Sequence, residues 1–70
     1  MRYFFHVVSP RTIYPDEEGE DLAGIEAARA RADRISDELA VDARTYPGFV
    51  VRIADETGKE LDCVPIGNEI

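Results

Sequence analysis

Few side chains in this sequence can do chemistry, and their spacing says more than their types. His6 is the sole histidine of the 70 residues. An imidazole changes charge near neutral pH, which suits a general base or a metal ligand. Either role needs company: a substrate proton or nucleophile within reach, or further ligands around a metal. The sequence offers no second histidine and no nucleophile close to His6. His6 therefore reads first as a strand residue bonded to a neighbour. Cys63 is the lone cysteine, so it forms no internal disulfide. A thiol attacks only as its thiolate, which requires exposure and a stabilising environment. Cys63 shares the spacing of Leu61 in an alternating strand, which predicts a core position where cysteine acts as a small hydrophobe.

The densest cluster is acidic. Residues 16–21 read Asp16-Glu17-Glu18-Gly19-Glu20-Asp21, five carboxylates in six positions. Asp16, Glu17, Glu18, Glu20 and Asp21 together offer the oxygen ligands that a hard divalent cation takes. They lack the alternating spacing and closing glutamate of an EF-hand loop. The plainer reading is a solvated loop ahead of a helix, where negative charge meets the positive end of the helix dipole. Outside this segment ten acids stand against eight bases, so the net charge of −7 is a local feature. An acidic chain is repelled by nucleic-acid backbones. Arg29, Arg31, Arg34 and Arg44 are interleaved with acids, as on a salt-bridged solvent face. Tyr3, Phe4, Phe5, Tyr14, Tyr46 and Phe49 read as core and sheet aromatics rather than a base-stacking platform.

Those residues need a frame. Tyr3 to Val8 is aromatic and β-branched, with Tyr3, Phe5 and Val7 on one side and Phe4, His6 and Val8 on the other. Apolarity on both sides predicts a central strand. Ser9-Pro10 marks a turn, and Arg11 to Tyr14 pairs back as a short edge strand stopped by Pro15. A helix is expected from Gly24 to Tyr46. Ile25, Ala28, Ala32, Ile35 and Leu39 form its apolar stripe, extended by Ala43 and Tyr46. Gly24 caps the start, and Pro47-Gly48 ends it. Arg29 with Asp33, and Arg34 with Glu38, have the spacing for ion pairs along the helix. Phe49 to Ala54 is a third strand. Asp55-Glu56-Thr57-Gly58 makes a turn, and Lys59 to Ile66 a fourth strand, with Pro65 placing it at an edge. On that strand Leu61 and Cys63 point to the core, and Glu60 and Asp62 to water.

The expected fold is thus α+β, a single domain over 1–70 with element order β-β-α-β-β. One helix packs on a four-stranded antiparallel sheet in the order 2-1-3-4. The segments Arg2-Tyr3-Phe4-Phe5-His6, Asp16-Glu17-Glu18-Gly19, Glu26-Ala27-Ala28-Arg29-Ala30 and Asp55-Glu56-Thr57-Gly58 follow one another along nearly the whole chain. In that order they resemble a family of short bacterial proteins, common in rhizobia and their relatives, known as a domain of unknown function. The resemblance implies a bacterial source and a small α+β fold, and carries no reaction. The family often has an aspartate where this chain has Gly24, which leaves this helix start less firmly capped. A looser, fold-level likeness is to antitoxins of the HicB type, which also pass from a strand through an acidic loop into an alanine-rich helix.

No paired acid–base or nucleophile–base constellation can be named, so a non-enzymatic interaction module is expected, with no cofactor. One helix covers one sheet face. The other face is expected to carry Val50, Val64, Ile66 and an aromatic of the first strand, and to be covered by a second copy in a homodimer. A small-ligand or cation-binding protein using the acidic loop or His6 is the alternative. Neither nucleic acid nor membrane is an expected partner: no apolar run approaches the ~18 residues of a span. The apolar run after Met1 is too short for a secretory signal, and the single cysteine suits a cytoplasmic, reducing setting.

Overall fold

The structure, a computed structural model, describes residues 1–40 and 48–66. Its elements are β1 (Arg2–Val8), β2 (Ile13–Tyr14), β3 (Glu20–Asp21), α1 (Ile25–Ala40), β4 (Val50–Ala54) and β5 (Glu60–Pro65). Every ladder is antiparallel. The strands run β2-β1-β4-β5, and β3 also pairs with β1. The class agrees with the sequence reading: α+β, with one helix and an antiparallel sheet. The strand count and order differ, because the acidic segment supplies a fifth strand where a loop is expected.

The core follows from two periodicities that meet. Tyr3 and Phe5 of β1, Val51 and Ile53 of β4, and Ile66 lie under Ala28 and Ala32 of α1. Both alanines are fully buried, and side chains this small let the helix axis approach the sheet closely. Ile25, Ile35 and Leu39 complete the stripe at the margins. Gly24 does cap the helix: its carbonyl accepts the Ala28 N–H at 3.0 Å. Ser36 is buried on the same side, and its hydroxyl donates to the Pro65 carbonyl at 2.7 Å. The expected continuation through Ala43, Arg44 and Tyr46 to Pro47 lies outside the described residues. Arg29 and Arg31 do not pair along the helix; they reach the sheet, Arg29 to Asp62 at 2.8 Å and Arg31 to Glu20 at 3.2 Å. Among the described residues no helix is long and apolar enough to cross a membrane.

The last strand corrects several side-chain assignments at once. Ile53 stands opposite Asp62 and Ala54 opposite Glu60, so Leu61 is an extra residue in β5. One inserted residue shifts the alternation by one, and every side chain beyond it changes face. Leu61 keeps its core contact. Asp62 turns to the helix side instead of to water, which is how it meets Arg29. Cys63, opposite Arg52, faces away from the helix and is exposed rather than buried. Val64, opposite the buried Val51, lies on the helix side, and Ile66 is 8% exposed within the core. Neither therefore belongs to the free face.

The outer edge of β5 is closed to further strands. The Ile66 N–H points inward to the Phe49 carbonyl at 3.1 Å, so the N–H of Cys63 points outward by alternation. That donor is taken by the Asp62 carboxylate at 2.8 Å. Pro65 has no donor to offer. Occupied and missing donors are how an edge strand avoids pairing with another chain.

Candidate interaction surface

The edge of β1 opposite β4 is served by an interrupted strand. Val7 pairs with Tyr14 of β2, and Tyr3 pairs with Glu20 of β3. Between these pairs, residues 15–19 must pass residues 4–6, five positions against three. The excess forms a strap, and the Phe5 N–H falls in the gap with no strand carbonyl opposite it. The Asp16 carboxylate fills that place, accepting the Phe5 N–H at 3.1 Å through Oδ2. Its Oδ1 accepts from Glu18 and Gly19 N–H groups at 3.2 and 3.1 Å, an Asx turn. The Asp16 N–H in turn donates to His6 Nδ1 at 2.9 Å, so the neutral ring carries its proton on Nε2.

Two further features hold the strap. Arg2 Nη1 donates to the Glu18 carbonyl at 2.6 Å. Gly19 has φ +72°, and a Cβ there would stand 2.9 Å from Arg2 Cγ, Phe4 Cε2 and the Tyr3 carbonyl oxygen. Only glycine fits both the conformation and the space. Partial burial raises the Asp16 pKa. The N–H groups of Phe5, Gly19 and Glu18, with the charge of His6 when protonated, outweigh that and hold it below its ordinary 3.8.

The acidic cluster is therefore dispersed rather than convergent. Asp16 serves the backbone, Glu20 meets Arg31, Asp21 meets Arg2 at 3.5 Å, and Glu17 and Glu18 are exposed. Among the described residues no three His, Cys, Asp or Glu side chains are gathered as a metal ion requires. A cleft of ≈ 360 Å³ separates the strap from α1, with Phe5, Tyr14, Asp16, Glu18, Arg31 and Ile35 among its lining. His6 and Asp16 are brought together, and their contact fastens the strap.

The face of the sheet away from α1 is the second feature. Directly opposite residues share a face, so the registers assemble it. Val8 lies beside Ile13 and Val50, and Val50 beside Pro65. His6 lies beside Arg52, and Arg52 beside Cys63. Phe4 stacks on His6 with ring centroids 6.4 Å apart and an 11° interplanar angle. The face is thus an apolar half next to a row of His6, Arg52 and Cys63. Its charges are matched: Arg2 by Asp21, and Arg52 by Glu60 at 3.9 Å. Of the three interface residues expected from sequence, Val50 is there. Ile13, 49% exposed, was not among them. Its signal was the i, i+5 return across Ser9-Pro10, which sets it opposite Val8 in a tight hairpin. Gly19 was visible as the glycine three residues after Asp16, the spacing of an Asx turn.

One helix on one face of a small antiparallel sheet defines a small α+β domain. The chain belongs to the family described as a domain of unknown function, DUF6894, whose model matches residues 2–67. No curated protein and no solved structure matches it.

Proposed function

We propose that this protein is a non-enzymatic interaction module that pairs with a second copy through the sheet face opposite α1. The observation that carries the reading is that open face, with Phe4, Val8, Ile13 and Val50 on it and its cations matched by acids of the same face. Charge argues for a second copy. Two copies meeting through their helices would bring together the exposed Asp33, Asp37 and Glu38, which outnumber the exposed Arg34 among them, whereas the cations of the sheet face are matched by its acids. A two-fold pairing is the commonest arrangement of a soluble oligomer. Size sets its strength. Four strands and a seven-residue β1 make a face of about 19 by 23 Å, at the low end of specific interfaces, which corresponds to a weak dimer. The bacterial source and the cytoplasmic setting rest on the sequence resemblance and the single cysteine. The HicB-type likeness concerns only the passage from strand through acidic loop to helix.

The test is sedimentation equilibrium across micromolar to submillimolar concentration. The expected result is a reversible monomer–dimer equilibrium that Val50→Asp shifts to monomer while the fold is kept. Val64→Asp is the contrast, because Val64 packs against the core and its replacement unfolds the chain. A wild type that stays monomeric throughout sinks the reading.

A further inference from the structure

The strap over β1 is fastened to His6 by a bond that depends on the ring's charge. The Asp16 N–H donates to His6 Nδ1 across 2.9 Å only while that nitrogen keeps its lone pair. An imidazole takes a second proton in mildly acidic solution, and both its nitrogens are then donors. Two donors facing each other at that distance repel, so the bond is lost.

The surroundings of the ring determine what replaces it. Asp16, on the strap, brings a carboxylate that attracts a charged ring. Both of its oxygens are already engaged by the N–H groups of Phe5, Glu18 and Gly19. Turning to the ring would abandon the very bonds that shape the strap. Arg52, opposite His6 on β4, repels a charged ring, and Cys63 lies one strand beyond it. Phe4 offers a stacked, uncharged neighbour. Glu60 of β5 shares the face, but its carboxylate is paired with Arg52 at 3.9 Å and answers that cation rather than the strap.

We propose that His6 is a proton-sensitive latch, which holds residues 15–19 on the edge of β1 when neutral and releases them when the ring is protonated. The strap is also one wall of the cleft beside α1, so the latch governs the shape of that cleft and the cover over the Phe5 N–H. His6 lies on the face proposed to pair, so the titration is also run in the monomeric Val50→Asp, where the latch acts alone.

The experiment follows the isotopically labelled protein by NMR between about pH 8 and 5, the range in which imidazoles titrate. It reads the His6 ring nitrogens, the Asp16 amide proton, and the exchange protection of Asp16 corrected for intrinsic rate. The expected result is that the Asp16 amide shift and the ring nitrogens change with one midpoint. Asp16 protection should fall about threefold to tenfold, the equivalent of one neutral hydrogen bond. His6→Asn places a non-titrating amide oxygen close to the Nδ1 position and should keep the Asp16 amide constant over the same range. An Asp16 amide that ignores the ring titration overturns the proposal. So does an equal change in His6→Asn, which would assign the effect to the carboxylates.

Discussion

Replacing Asp16 by alanine tests the idea that one carboxylate stands in for a missing strand. Three N–H groups depend on it, and they are not equivalent. The Phe5 N–H is partly buried within β1, and without Asp16 no strand carbonyl faces it. Leaving such a donor unsatisfied costs about 1–3 kcal/mol. Glu18 is exposed and Gly19 half-buried, so their N–H groups regain water, and together they add about 1 kcal/mol. The expected loss is about 2–4 kcal/mol, against a total of about 4–10 kcal/mol for a domain of this length. Urea unfolding at pH 7 should show a large drop in midpoint with little change in slope. Asp16→Asn keeps one acceptor oxygen but sets an amide NH2 against either the Phe5 N–H or the turn, so it should lose nearly as much as Asp16→Ala. The pH dependence gives a second handle. Because the folded-state pKa of Asp16 lies below 3.8, its contribution is complete above that value and is lost as pH falls through the depressed one. The gap between wild type and Asp16→Ala should therefore narrow in strong acid, by the part that depends on the charge of the carboxylate. Asp55, held down first by the Thr57 hydroxyl, and Asp62, held down first by the Cys63 N–H, share this sign and cancel in the comparison. A loss under about 0.5 kcal/mol at neutral pH, or a gap that widens in strong acid, would refute the assignment.

Two further expectations follow from the same geometry. Gly19→Ala must accept a positive φ and three contacts at 2.9 Å, while Gly58→Ala meets only a positive φ of 90° with open space around it. Thermal unfolding should show a penalty of about 1 kcal/mol at Gly58 and clearly more at Gly19; equal penalties would mean that the strap does not press on β1. Cys63 is exposed beside Arg52, so a thiol reagent should label the monomeric Val50→Asp protein nearly as fast as the unfolded chain, and strong protection there would show that β5 lacks the inserted Leu61.

Much of the framework was legible in the sequence because it depends on local patterns. The stripe from Ile25 to Leu39 marks a helix by spacing alone, and Ala28 and Ala32 are indeed its buried centre. Tyr3 to Val8 is apolar on both sides, and β1 is central. Asp55 to Gly58 makes the expected turn, with the Gly58 N–H bonded to the Asp55 carbonyl at 3.0 Å. The partners of the helix arginines were not legible. Arg29 has Asp33 one helical turn away, yet it chooses Asp62, 33 positions distant, because the packed sheet brings that carboxylate to 2.8 Å.

What the sequence determined by itself is the class of fold, the single helix, the central strand and the family, since each rests on periodicity, turn chemistry or motif order within short windows. Tertiary structure decided the rest. Glu20-Asp21 has no strand pattern; it becomes β3 because the edge of β1 has backbone groups that must be paired. Asp16 leaves a nominally solvated acidic run to fill the one gap that β2 and β3 leave between them. The faces of Cys63, Val64 and Ile66 reverse because a single residue, Leu61, is inserted where β4 and β5 meet. A period of two keeps no record of an insertion, so only the pairing of the two strands reveals which side each residue takes.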